Sequence, residues 1–107
     1  MRVIKFKAWD RNTKKMCQVW SIFYYDDKIL VDIYGLGNRE ETALELGKEC
    51  ELIQYVNYHD KNEKEIYEGN ILKDNYGNVF VMTMRLSLDE QLVEVIGDIH
   101  KNPELLK

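Results

Sequence analysis

The run LIQYVNYHDKNEKEIYEGNILK, residues 52–73, constrains the fold more than any other stretch of the chain. A β-rich apolar segment leads into a hydrophilic connection over residues 57–65. Tyr67-Glu68-Gly69 then steps into a second β-rich segment. Strand, polar turn, strand is the reading that this pattern supports. A glycine at such a step supplies a positive φ without the clash that a Cβ brings, so Gly69 is expected there with φ > 0.

The rest of the chain repeats the theme. Residues 3–9 alternate, with Ile4, Phe6 and Ala8 on one face and Lys5 and Lys7 on the other. Residues 16–25 and 29–34 are β-rich and are separated by Asp26-Asp27-Lys28, a hairpin turn signal. Gly35-Leu36-Gly37-Asn38 breaks the pattern. Residues 39–46 then have helical composition, with Glu40 and Glu41 in a first turn and Gly47 where a helix would stop. Strand character resumes over 50–56. Asn75-Tyr76-Gly77-Asn78 marks a turn before a strand over 79–84, and 92–99 is a last apolar run with Gly97 inside it as a bulge signal. Asn102-Pro103-Glu104 has the order N-cap, N1, N2 of a short terminal helix.

Short strands with turn signals every 8–12 residues predict a mainly β fold, a small barrel or sandwich, with one or two short helices. Residues 68–81 suit a hairpin of the SH3-like kind. The expected core is Ile4, Phe6, Ile53, Tyr55, Ile66, Ile71, Val79, Val81, Val95 and Ile99. A length of 107 residues fits one domain.

Charge and cysteines narrow the function classes. The net charge is −4, yet residues 1–20 hold six basic side chains against the single acid Asp10. Overall acidity disfavours non-specific nucleic-acid binding, which rests on neutralising phosphates. The basic start leaves a local anion-binding face open, with Lys5, Lys7 and Lys15 as its contacts. Its plainer role is a solvated strand edge guarded by lysines. Cys17 and Cys50 stand far apart without a CxxC, so two reduced, small apolar residues are expected. The charged N-terminus lacks the apolar core of a signal peptide. No apolar run approaches the ~20 residues that span a bilayer, so no membrane partner is expected.

Three blocks in order resemble the YopX-domain family. Ile4-Lys5-Phe6-Lys7-Ala8-Trp9-Asp10 with Met16 is similar to its opening. Gln54-Tyr55, Asp60-Lys61-Asn62 and Lys64-Glu65-Ile66-Tyr67-Glu68-Gly69 are similar to its central block, and Val95-Ile96-Gly97-Asp98-Ile99-His100 with Asn102-Pro103-Glu104-Leu105-Leu106 to its ending. The resemblance puts Trp9, Asp10, Gln54, Tyr55, Asp60, Tyr67, Glu68, Gly69, Gly97 and Pro103 in the family's structural motif. It implies a mostly β fold with a barrel, a phage or prophage origin, a place in the bacterial host cytoplasm, and no assigned enzymatic activity. The chain departs from the family pattern at three places. Val56-Asn57-Tyr58 stands where Thr-Gly-Leu is usual, Glu63 replaces a turn glycine, and Asn70 replaces an aspartate. Glu63 is expected to reshape its turn, because a left-handed residue with a Cβ costs about 1 kcal/mol or more.

No catalytic signature accompanies these blocks. Glu65 and Glu68 could do acid–base work, but residues three apart on a strand face opposite sides. His59-Asp60 reads as a solvated polar turn. Zinc would require His59, His100, Cys17 and Cys50 to converge, so no metal and no cofactor is expected. Trp9, Trp20, Tyr24, Tyr25, Tyr34, Tyr55, Tyr58, Tyr67 and Tyr76 are mostly expected in the core, with protein contacts the next use for them and base stacking the last. The expected function is a non-enzymatic interaction module that binds a protein or a second copy of itself. The alternative is a nucleic-acid-binding accessory protein using Lys5 and Lys7.

Overall fold

A computed structural model of the chain describes residues 3–34, 42–84 and 86–106. Nine strands form among these described residues: β1 (Phe6–Asp10), β2 (Lys15–Tyr25), β3 (Lys28–Tyr34), β4 (Thr42–Glu45), β5 (Cys50–His59), β6 (Glu65–Tyr67), β7 (Asn70–Asp74), β8 (Val79–Val81) and β9 (Val93–Asp98). Single 3-10 turns span Glu90–Leu92 and Pro103–Leu106. The chain packs as two compact units, Phe6–Ile53 and Met1–Lys5 with Gln54–Lys107. The mainly β expectation holds.

In the first unit, antiparallel pairing sets the order β4-β3-β2-β1, with the start of β5 beside β1. Asp26 and Asp27 have φ of 50° and 61°, the doubly left-handed geometry whose twist matches the flanking strands. Alternation sends Ala8, Cys17, Val31, Ile33 and Leu44 to one side, where they cluster with Cys50. Both cysteines are buried free thiols, as expected. Burial among apolar neighbours, with Asp10 and Glu49 nearby, pushes Cys50 up to about 11, so it stays a protonated core residue. Among the described residues no ladder pairs β4 with β5, and beyond the end of β4 a single parallel bridge joins Leu46 to Cys50. The sheet therefore does not close into a continuous barrel.

The helical composition of residues 39–46 is overruled where it can be seen. Thr42–Glu45 pairs with β3 in the register Ile33–Thr42 to Leu30–Glu45, and Leu44 enters the cluster with Val31 and Ile33. One helical turn fixes several residues for a single hydrogen bond, whereas the free edge of β3 offers a ladder at once. Gly47 does end the element, at φ +91°. The break at 35–38 and residues 39–41 lie outside the described residues.

In the second unit β7 is central, with β8 on one side and β9 on the other, and β6 pairs with the end of β5. Val56, Ile66, Leu72, Met82 and Val93 are its buried cluster, and Tyr58, Phe80, Leu88 and Val95 pack against it. The expected hairpin of residues 68–81 is present as β7–β8. Of the ten expected core residues, Ile53, Tyr55, Ile66 and Ile71 are buried, and Phe6, Val81 and Val95 are half-buried. Ile4, Val79 and Ile99 are exposed. Ile4 fails because the strand begins only at Phe6, so no sheet continues its alternation. Val79 fails because its neighbour Phe80, paired with Leu72, is the one turned to the cluster.

The hydrophilic connection is also shorter than its composition suggests, because β5 continues to His59 and β6 resumes at Glu65. The strand carries the polar residues by bulging between Tyr55 and Tyr58. Asn57 sits in this bulge at φ +64°. That is the place of the family's glycine, and asparagine tolerates the conformation best among residues with a Cβ. Its amide also clasps Val3, accepting from Val3 N at 2.8 Å and donating to Val3 O at 3.0 Å. The terminal turn at Pro103–Leu106 is a single 3-10 turn, with Leu105 N donating to Asn102 O.

Candidate functional site

The family-type residues of the second unit converge on two built features. The first is the turn closed by Asp60. Its Oδ1 accepts from Asn62 N at 2.8 Å and Lys64 N at 2.9 Å, and its Oδ2 accepts from Val95 N at 3.0 Å. Burial alone would raise the carboxyl, but the three backbone donors from Val95, Lys64 and Asn62 win and hold it below its ordinary value. Asp60 is thus a buried structural anion rather than part of a solvated His-Asp pair. Glu63 closes the same turn at φ +65°, so the turn keeps the left-handed residue that a glycine would supply. Asp60 fixes both sides of the loop, and Glu63 bears the left-handed conformation within it despite its Cβ.

The second feature is the step at Gly69, which has φ +85° as expected. Asn70 Oδ1 accepts from Tyr67 N at 2.6 Å across the step. A carbonyl oxygen serves there as well as a carboxylate, which accounts for asparagine in place of aspartate. Glu68 N donates to Gln54 O, Gly69 N to Met82 O and Ile99 N to Gly69 O, pinning the step between strands. Gly97 leaves room for the C-terminal turn that Pro103 opens. A Cβ there would lie 2.7 Å from Asn102 Oδ1 and 2.9 Å from Leu105 Cδ1.

Beside these lies a polar chain. The Lys5 ammonium pairs with Glu65 and sits 4.8 Å above the Tyr55 ring. Tyr67 OH donates to Glu65 Oε1 at 3.2 Å, and the Tyr55 and Tyr67 rings are 5.5 Å apart. The hydrogen bond from Lys5 holds the Glu65 carboxyl low. Burial and the nearby Glu65 carboxylate push Tyr67 up to about 12. Tyr55 OH lies 3.5 Å from His59 Nε2, and His59 N donates to Glu90 Oε2 at 2.7 Å. An open groove of about 750 Å³ runs past His59, Asp60, Lys61, Glu63, Glu90 and Gln91. Glu65 is committed to Lys5, and Glu68 is exposed. Among the described residues no group of three or more His, Cys, Asp or Glu side chains is placed to hold a metal ion.

The first unit carries a different surface. Trp9 and Asp10 are buried, and Asp10 Oδ1 accepts from Asn12 N to shape the β1–β2 turn. The outer half of β2 is exposed almost throughout. Trp20 is 66% and Tyr25 67% accessible, and Phe23, Tyr24 and Tyr34 are exposed with them. The expectation that most aromatics are core therefore holds for Trp9, Tyr55 and Tyr67 but not for this hairpin. The β2–β3 register alternates Ser21–Asp32, Ile22–Val31, Phe23–Leu30, Tyr24–Ile29 and Tyr25–Lys28. Val31 faces the cluster, so Ser21, Phe23, Tyr25, Lys28, Leu30 and Asp32 share the opposite face. Tyr34 continues that face, and Trp20, at a bulge, stacks on it with ring centroids 5.7 Å apart. A run of consecutive apolar residues such as Ile22 to Tyr25 conceals which side will be open, and only the position of Val31 decides it.

A chain of two small antiparallel β units, with its motif residues spent on turns, defines the class as a small, mainly β protein. The family model of the YopX protein matches residues 5–91, and the chain belongs to the YopX family. The crystal structure of protein EF1440 from Enterococcus faecalis is similar over 100% of both chains, with a TM-score of 0.65 at 24% identity, a likeness of fold. No match is found among curated proteins. No helix of the described residues is long and apolar enough to cross a membrane.

Proposed function

We propose that the protein is a non-enzymatic interaction module, encoded by a phage or prophage and working in the bacterial cytoplasm, that binds a protein or a second copy of itself through the aromatic face of β2 and β3. The observation that carries this reading is the exposure of Trp20, Phe23, Tyr25 and Tyr34 on one face of a sheet whose other face carries the cluster of Cys17, Val31, Ile33 and Leu44. Aromatic side chains give large contact area at small entropic cost, and a contiguous exposed apolar patch on a small domain is a feature of contact surfaces.

The nucleic-acid alternative draws less support. Lys5 is engaged by Glu65 and Tyr55, and Arg11 by Glu51 and the Gly47 carbonyl. The exposed aromatics are accompanied by Asp26, Asp27 and Asp32 rather than by a row of cations, which suits phosphates poorly.

Affinity capture from phage-carrying cells, with and without nuclease, tests the reading together with light scattering of the purified chain. A protein partner or second copy should be retained through nuclease by the wild type and lost by a Trp20→Ser, Tyr34→Ser variant. Association that vanishes with nuclease, or no association at all, would overturn it.

A further inference from the structure

If the protein is an interaction module, the β2–β3 face has an internal symmetry that selects one occupant. Three rungs form its centre, Ser21–Asp32, Phe23–Leu30 and Tyr25–Lys28. The outer two stand about 7 Å on either side of the middle one. They are opposite in character. One carries a small residue and an anion, the other a large residue and a cation.

We infer that this face is a self-complementary dimer interface, in which two copies pack face to face about a twofold axis through the Phe23–Leu30 rung, setting Lys28 of each copy against Asp32 of the other. The axis lies in the plane between the two sheets and across the strands. It leaves the middle rung over itself and exchanges the outer rungs. Tyr25 then lies over Ser21 of the second copy, a large side chain over a small one, and Phe23 and Leu30 meet their own images in an apolar centre. Two like sheets stacked in this way sit about 10 Å apart, the spacing that interdigitating side chains fill.

The charges suit this arrangement. Asp32 Oδ2 accepts from Ser21 Oγ at 2.7 Å, which holds the carboxylate on this face. Among the described residues neither Lys28 nor Asp32 has an ion-pair partner. Beyond the Ser21 rung, the Trp20–Tyr34 stack meets the Asp26–Asp27 turn of the second copy, whose carboxylates can accept from the indole N–H. Glu45, on the same face at the β4 edge, has Lys48 as its own partner at 4.0 Å. Affinity comes from the aromatic centre. The exchanged charges set register, since exposed ion pairs steer and discriminate more than they bind.

Charge reversal tests the axis directly, read by light scattering and sedimentation over a concentration series, with circular dichroism to confirm folding. Lys28→Glu places two acids together at both ends of the interface, and Asp32→Lys places two cations there. Each should weaken self-association at least about tenfold. Mixing the two variant chains should restore it, because each end then pairs an acid with a base. Should Asp32→Lys not fold, Lys28→Glu compared with Lys28→Gln keeps the test, since a repelling group must weaken association more than a neutral one. A wild-type dimer indifferent to these changes overturns the twofold arrangement and leaves the interaction module standing. A wild-type monomer that captures a different protein through Trp20 does the same. A chain that associates with nothing overturns both.

Discussion

The two units stabilise themselves by different means. In Met1–Lys5 with Gln54–Lys107, short polar side chains are tied to backbone N–H groups. Asp60 serves Asn62, Lys64 and Val95, Asn70 serves Tyr67, Asp74 serves Tyr76 and Asn78, and Asp98 serves His100 and Lys101. In Phe6–Ile53, long antiparallel pairing and one apolar cluster do most of the work, and the far face of the sheet is left open. Most of the YopX-type residues lie among the polar locks, and none lies on the outer half of β2 or on β3. A lock is unforgiving because removing an acceptor strands its donors, whereas an exposed aromatic can change without disturbing what lies beneath it.

The largest effect expected from breaking this contrast is at Asp60. Asp60→Ala strands three partly buried N–H groups and should lower stability by about 3 kcal/mol or more in urea unfolding, while Trp20→Ser should stay within about 0.5 kcal/mol. A cost below about 1 kcal/mol at Asp60 would erase the distinction between the units. The same carboxylate sets a pH dependence. Its folded-state value lies below the ordinary 3.8, so its contribution is whole above that value and is lost as pH falls through the folded one. Acid unfolding monitored by circular dichroism should therefore be steeper below about pH 4 in the wild type than in Asp60→Asn.

Gly69→Ala comes next. The nearest neighbour of the added Cβ, Ile99 Cγ1, is 3.4 Å away, so space is not the obstacle. The backbone at φ +85° is, and about 1–2 kcal/mol should be lost. The smallest effect runs the other way. Glu63 holds φ +65° with a Cβ, and Glu63→Gly should raise stability by about 1 kcal/mol, seen as an increase of several degrees in Tm. A destabilised Glu63→Gly would mean that the Glu63 side chain contributes more to the Asp60 turn than its backbone strain removes.

How much of the fold and of the candidate site was legible in the sequence depended on the range of the interactions. The turn at Asp26-Asp27, the turn at 75–78, the Gly69 step and the Gly97 bulge could be read because backbone sterics and side chain–backbone hydrogen bonds act within a few residues. The resemblance in three ordered blocks carried the family. Residues 42–45 were misread because their composition suits either state, and the decision lay with β3, whose paired residues run from Ile33 opposite Thr42 to Leu30 opposite Glu45. Ile4 and Val79 were misread because alternation names two faces without saying which is covered.

The same limit governs the functional surface. The sequence by itself determined the β class, the turn positions, and the two thiols in apolar surroundings. Only the tertiary structure decided that Asp60 is buried, that Lys5 is taken up by Glu65 and Tyr55, and that the aromatics of β2 and β3 are left in the open. Local chemistry fixes how a strand turns and alternates, but which face meets the core depends on residues far along the chain that happen to pack against it.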